Sequence, residues 1–143
     1  MFRRVTGIAV ALMLVQPVAG YAIAPDARSE RVQFAKGATS TVIKGQIKGY
    51  RFVDYQVRAG AGQTLSVEMK TGNASSYFNI FPPGSGAVAM FIGSTSGDRF
   101  SGLLPTDGDY AIRVYLMRNA ARRNESANFA LTTCRSPTGV VIS

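Results

Sequence analysis

An all-β fold is predicted, a single-domain antiparallel β-sandwich of about eight short strands. Three observations carry it. Apolar residues recur at every second position in short segments, as where Leu65, Val67 and Met69 alternate with Ser66, Glu68 and Lys70. Clusters of Gly, Pro, Ser and Asp separate those segments. No long segment carries apolar residues at helical spacing.

The elements follow in chain order. A strand is expected from Arg31 to Phe34, stopped by the turn Ala35-Lys36-Gly37. A second runs from Thr41 to Ile47, and Gly49 breaks the chain before a third, Tyr50 to Arg58. The glycine-rich turn after Arg58 leads into Gln63 to Lys70. Ser76 to Phe81 ends at Pro82-Pro83-Gly84, a stop that no central strand can run through. Ala87 to Ile92 is apolar and short, Ser94 to Gly102 reads as loop, and Leu103 to Gly108 as turn. Tyr110, Ile112, Val114 and Leu116 share one face of the next strand. Asn119 to Glu125 is the one helix-friendly piece, about two turns long. Ala127 to Cys134 closes the sheet, and the tail from Ser136 reads as loose chain or an edge strand.

The chain has 143 residues, room for one domain. Residues 1–22 have the layout of a secretory signal peptide: Arg3 and Arg4, an apolar run from Val5 to Val18, then small residues. The run is too short to span a bilayer comfortably, which weighs against an uncleaved anchor. No cysteine lies near the cleavage site, so neither a lipid nor a membrane anchor is expected after cleavage. The β-sandwich domain then occupies residues 23–143, and export by the secretory route is expected. Without Arg3 and Arg4, 14 basic residues face 8 acidic ones, a formal net charge of +6. That balance suits nucleic acid, an anionic surface or an acidic pocket on another protein.

Composition excludes much chemistry. There is no histidine, so the usual catalytic base and the commonest metal ligand are missing. With Cys134 the single cysteine, no internal disulfide forms, and thiolate or imidazole metal sites fall away. Cys134 is expected as a small buried residue on the last strand. Asp107 and Asp109 read as a tight turn rather than a catalytic pair, and Asp54 as the partner of a cross-strand arginine. No enzyme, cofactor or metal is expected. The aromatic residues, among them Phe52, Tyr55, Phe78, Phe81, Tyr110, Tyr115 and Phe129, are expected to pack the core. Tyr50 and Tyr77, next to turns, are the expected exceptions.

What remains is a run of arginines after the Tyr110 strand. Continued alternation would send Arg118 inward, where an unpaired guanidinium is not tolerated. The strand must therefore end near Met117, or Arg118 must be paired; if it ends there, the segment to Asn124 leaves the sheet at its rim. A turn of helix there places Arg118 and Arg122 on one side, with Asn119 available as its cap. Such groups suit a carboxylate or phosphate. The plainer alternative is internal pairing with Asp54 or Glu125.

Three segments together resemble the periplasmic inhibitors of g-type (goose-type) lysozyme: Gly45 to Met69, Ser75 to Gly86, and Asp107 to Asn124. The motifs are Ile47-Lys48-Gly49-Tyr50, a block of tyrosine and phenylalanine leading to Pro-Gly between Tyr77 and Gly84, and Arg118-Asn119 with Ala121, Arg122 and Asn124. The resemblance spans roughly Gly45 to Leu131 and implies a sandwich that blocks the enzyme's substrate cleft, where an arginine meets the catalytic glutamate. By matching position it implies Arg118, Asn119 and Arg122 as contacts, then Tyr50, Ser76 and Tyr77. The apolar, glycine-rich stretch from Ala87 to Phe100 departs from the polar loop expected there. The expected partner is g-type lysozyme; monomer and homodimer stay open. The alternative is a secreted binding module for glycan or for a polyanion such as DNA. Basic residues scattered over most strands, in an exported domain, weigh against nucleic acid.

Overall fold

In the long strands the buried residues fall on one parity, so each strand turns one face inward. The computed structural model describes residues 27–86 and 88–137; the expected signal peptide and the tail beyond Pro137 lie outside the described residues. The elements are β1 (Ala27–Arg31), β2 (Ser40–Lys48), β3 (Phe52–Ala59), β4 (Thr64–Thr71), β5 (Ser76–Phe81), β6 (Phe91–Ile92), α1 (Gly93–Ser96), β7 (Arg99–Leu103), β8 (Gly108–Leu116), α2 (Arg118–Arg122) and β9 (Ser126–Arg135). One sheet has the order β1-β3-β8-β5-β6 and the other β2-β9-β4-β7. Their inner faces enclose a core that includes Val53, Tyr55 and Val57, Leu65, Val67 and Met69, Phe78 and Ile80, and Ile112, Val114 and Leu131.

Two contacts fix how the sheets close. The Tyr55 ring meets Phe129 edge-on at 6.2 Å. β2 passes this pair at Gly45, where a Cβ would lie 2.6 Å from Phe129 Cζ and 2.8 Å from Tyr55 Oη, so only glycine admits the two rings. Buried Tyr110 donates its hydroxyl to the Thr106 carbonyl at 2.7 Å, which pins the entry to β8 in the manner of a tyrosine corner.

The strand framework departs from the expectations in four places. The first strand pairs at Ala27–Arg31, ahead of the expected Arg31–Phe34, and runs parallel to β3. All five of its residues are exposed, so no alternation announced it. Val32 and Phe34, the apolar residues behind the expectation, pack on the core just beyond it. Second, the expected loop from Ser94 to Gly102 contains most of α1 and most of β7, while the expected strand Ala87 to Ile92 shortens, among the described residues, to Phe91 and Ile92 paired with β5, with the Met90 amide donating to Ile80 at 2.7 Å just before them. β7 turns a single aromatic inward: Phe100 contacts Phe91 at 5.3 Å, and Phe91 contacts Phe78 at 5.1 Å. Third, Cys134 is half-buried on the outer face, its thiol donating to Ser40 Oγ at 3.1 Å, because Thr133 takes the inward position. Fourth, Phe52, Phe81 and Tyr115 take the outward parity of their strands. Phe52 and Phe81 flank the Arg113 guanidinium at 4.4 and 4.9 Å, and Asp54 binds it through two hydrogen bonds of 2.7 and 2.9 Å. This is the expected cross-strand pair of Asp54, opposite Arg113 in register.

Candidate functional site

β8 ends at Leu116, its last inward residue, and Met117 turns the chain out of the sheet. The Met117 amide donates to the Ser75 carbonyl at 2.9 Å, and the Met117 carbonyl accepts from Ala121 at 2.9 Å, opening α2. Ala120 and Ala121 are buried, and their small side chains let the helix lie down on the end of the sandwich. Arg118, Asn119 and Arg122 are left exposed. Asn119 does not cap the helix: Met117 is the N-cap residue, without a side-chain bond, and Asn119 Oδ1 accepts from Arg122 Nη2 at 3.0 Å. The stop is at the other end. Asn124 takes φ = 57°, the Asn124 amide donates to Ala121 at 2.9 Å and the Glu125 amide to Ala120 at 3.1 Å. That is a Schellman cap, with asparagine in the left-handed conformation it tolerates better than most residues.

Two further turns meet this corner. In Lys48-Gly49-Tyr50-Arg51 the Arg51 amide donates to Lys48 at 3.1 Å and Gly49 has φ = 62°, the signature of a type II′ turn. The Gly49 amide donates to the Glu125 carbonyl at 2.8 Å, and a Cβ on Gly49 would lie 2.6 Å from Asn124 Oδ1. Tyr50 is left at the tip, 56% exposed. From the β4–β5 turn, Asn73 Nδ2 donates to Glu125 Oε1 at 3.1 Å and to the Ser126 carbonyl at 3.0 Å. The three sequence segments singled out above thus meet on one rim.

The expected site residues divide. Arg118, Asn119, Arg122 and Tyr50 stand exposed on that rim. Tyr77 lies beside it, half-buried on the outer face, its ring 6.4 Å from that of Tyr115. Ser76 departs from the expectation of a contact: it lies opposite Leu116, is buried, and its Oγ has no hydrogen-bond partner among the described residues. The even parity of β5 turns it inward.

Charge is divided too. Arg123 is used internally, its Nε donating to Glu125 Oε2 at 2.8 Å. Hydrogen bonds from Asn73 and Arg123 hold the Glu125 carboxyl below its usual range. Arg118 and Arg122 have no carboxylate within ion-pairing distance among the described residues. No group of three metal-binding side chains comes together among them either. The Asn73–Glu125–Arg123 clamp was not found by sequence reasoning; its ends are 52 positions apart and carry no local signal.

No family model matches the chain. A protein named inhibitor of g-type lysozyme, from Escherichia coli (strain K12), is 33% identical over 104 residues, covering 71% of this chain and 77% of the relative. The chain belongs to the family of g-type lysozyme inhibitors. Within that family, the crystal structure of Aeromonas hydrophila PliG, a periplasmic lysozyme inhibitor of g-type lysozyme, matches at a TM-score of 0.72 with 38% identity, covering 78% of this chain and 98% of that one. The pre-peptidase C-terminal domain of a Bacillus anthracis collagenase matches at a TM-score of 0.54 with 14% identity, over 73% of this chain and 93% of that one. This likeness shows that the inhibitor family shares its sandwich fold with proteins outside it.

Proposed function

We propose that the protein is a periplasmic inhibitor of g-type lysozyme, and that it acts by setting the rim of α2 and the Lys48–Arg51 turn against the enzyme's substrate cleft. The observation that carries the mechanism is the state of two arginines: Arg118 and Arg122 are exposed and lack internal carboxylate partners among the described residues. A guanidinium entering the cleft meets a desolvated carboxylate and forms a charge-assisted hydrogen bond. Arg118 is the central anchor in this reading. Arg122, steadied by Asn119, flanks it, and Tyr50 supplies an exposed ring that packs with little loss of side-chain freedom. Tyr77 borders the contact, and Ser76 supports it from behind. The inhibitor performs no chemistry of its own; it excludes substrate.

The formal net charge of the domain is positive, and a basic lysozyme would repel it at a distance. Such repulsion is screened beyond about 8 Å in physiological salt, so local pairing decides the contact. Titration of the purified domain into a cell-wall lysis assay tests the reading. Lysis by g-type enzyme should stop at roughly equimolar inhibitor while c-type enzyme stays active, provided the proteins are mixed well above their dissociation constant. Undiminished lysis by g-type enzyme at a large molar excess would refute it.

A further inference from the structure

Lys48 and Arg51 are the first and last residues of the turn that carries Tyr50. Such positions in a tight turn lie within about 7 Å at Cα, so the two cationic side chains start from neighbouring points. Both are exposed, and neither has a carboxylate within ion-pairing distance among the described residues. With Arg28, Gln46, Ile47 and Ser126 they line a hollow of about 290 Å³ on the flank of the rim. Arg28 reaches it from β1, and its Nε is held by Glu30 at 2.8 Å. Of the three cations around the hollow, only Arg28 has a carboxylate partner among the described residues. Gln46 and Ser126 add an amide and a hydroxyl to the lining.

Clustered like charges oppose folding, and nothing described within the chain offsets Lys48 and Arg51. The turn is nonetheless held firmly, by its own hydrogen bond and by the Gly49 bond to Glu125. We propose that this hollow is a second anion-recognition site, which takes a carboxylate presented by the target lysozyme on the lip of its cleft, apart from the catalytic residue. The inference rests on the reading of the rim as the lysozyme-binding surface. Arg51 supplies a planar fork suited to a carboxylate, Lys48 a compact point charge beside it. Because the hollow is open to solvent, it acts chiefly on approach: it steers the encounter and fixes which way round the rim docks.

The test is association kinetics with g-type lysozyme across a salt series, comparing the wild-type domain, Lys48→Glu/Arg51→Glu and Arg118→Ala. The double reversal should slow association by about tenfold at low salt, with the gap closing as salt rises and dissociation little changed. Arg118→Ala should act instead on dissociation. Lys48→Gln/Arg51→Gln, which adds no repulsion, should show a smaller slowing in the same direction, and thermal melts of each variant establish that it folds. A lysozyme variant with a cleft-lip Asp or Glu changed to Lys should restore association to the doubly reversed inhibitor, which supports the site. If the wild type inhibits and Arg118→Ala weakens it, yet both Lys48/Arg51 variants associate at the wild-type rate at every salt concentration, the hollow is no contact and the proposal falls alone. If the wild type fails to bind lysozyme, the lysozyme reading falls and takes this proposal with it.

Discussion

Arg118 stands at the wrong end of its helix for stability. The amide groups of the first turn carry partial positive charge, and a cation beside them costs a few tenths of a kcal/mol where an acid would gain. Neither a cap nor an ion pair among the described residues compensates, which fits the proposal that Arg118 serves a partner. Arg118→Ala should weaken lysozyme binding by about 2–4 kcal/mol in a calorimetric titration, the range of a central anchor. A loss below about 0.5 kcal/mol would assign it to the rim of the contact instead. The same scale shows where reading by residue type succeeds and fails. That Arg118 must either leave the strand or be paired was legible, because parity would have buried it, and β8 does end at Leu116. That Asn119 would not cap, and that Asn124 would, was not, since both are asparagines and only the helix boundary tells them apart. Ser76 holds a contact's position in its motif, but the parity of β5 turns it inward.

α2 works as an element because its underside is alanine. Ala120 and Ala121 sit on the sandwich end without lifting the arginines away from it. Ala120→Leu should overpack this contact and destabilise the fold by about 1–3 kcal/mol, measured by denaturant melts, and displace the arginines enough to reduce inhibition. Asn124→Val places a β-branched side chain in the left-handed conformation. It should cost about 1–2 kcal/mol in the same melts, while Asn124→Gly should be tolerated. Strand legibility followed alternation. β3, β4, β5, β8 and β9 were found to within a few residues because each buries alternate side chains. β1 and β7 were missed because an exposed edge strand and a strand with one inward aromatic leave almost no period to read.

At the scale of the molecule, acid should loosen both ends of the sandwich. Arg31 holds the Asp109 carboxyl below its usual range through hydrogen bonds of 3.1 Å each, with Arg58 adding charge, as Asn73 and Arg123 do for Glu125. A carboxyl depressed in the folded state binds fewer protons than in the unfolded chain. Its contribution is therefore complete above the unfolded value, about 4, and fades as pH falls through the lower folded values. Melting temperature should decline in that acid window, and Glu125→Gln should lower it at neutral pH and flatten the decline. The sandwich class itself was legible from strand spacing and turn chemistry. Which loops share a rim was not, because pairing such as that of Lys48 with Ser126 is decided by register across the whole sheet.

The hydrogen bonds among those loops have a further consequence. Gly49 is joined to Glu125 and Met117 to Ser75 through the backbone, and the Asn73 side chain to the Ser126 carbonyl, so the surface proposed to meet a partner is already fixed in the lone protein. Docking then surrenders little chain freedom, most of that ordering having been completed when the domain folded. Free and complexed coordinates should superimpose at this corner to within about 1 Å. Heating should abolish inhibition in the same transition that melts the sheets, with no milder stage in which the fold persists and the grip is gone.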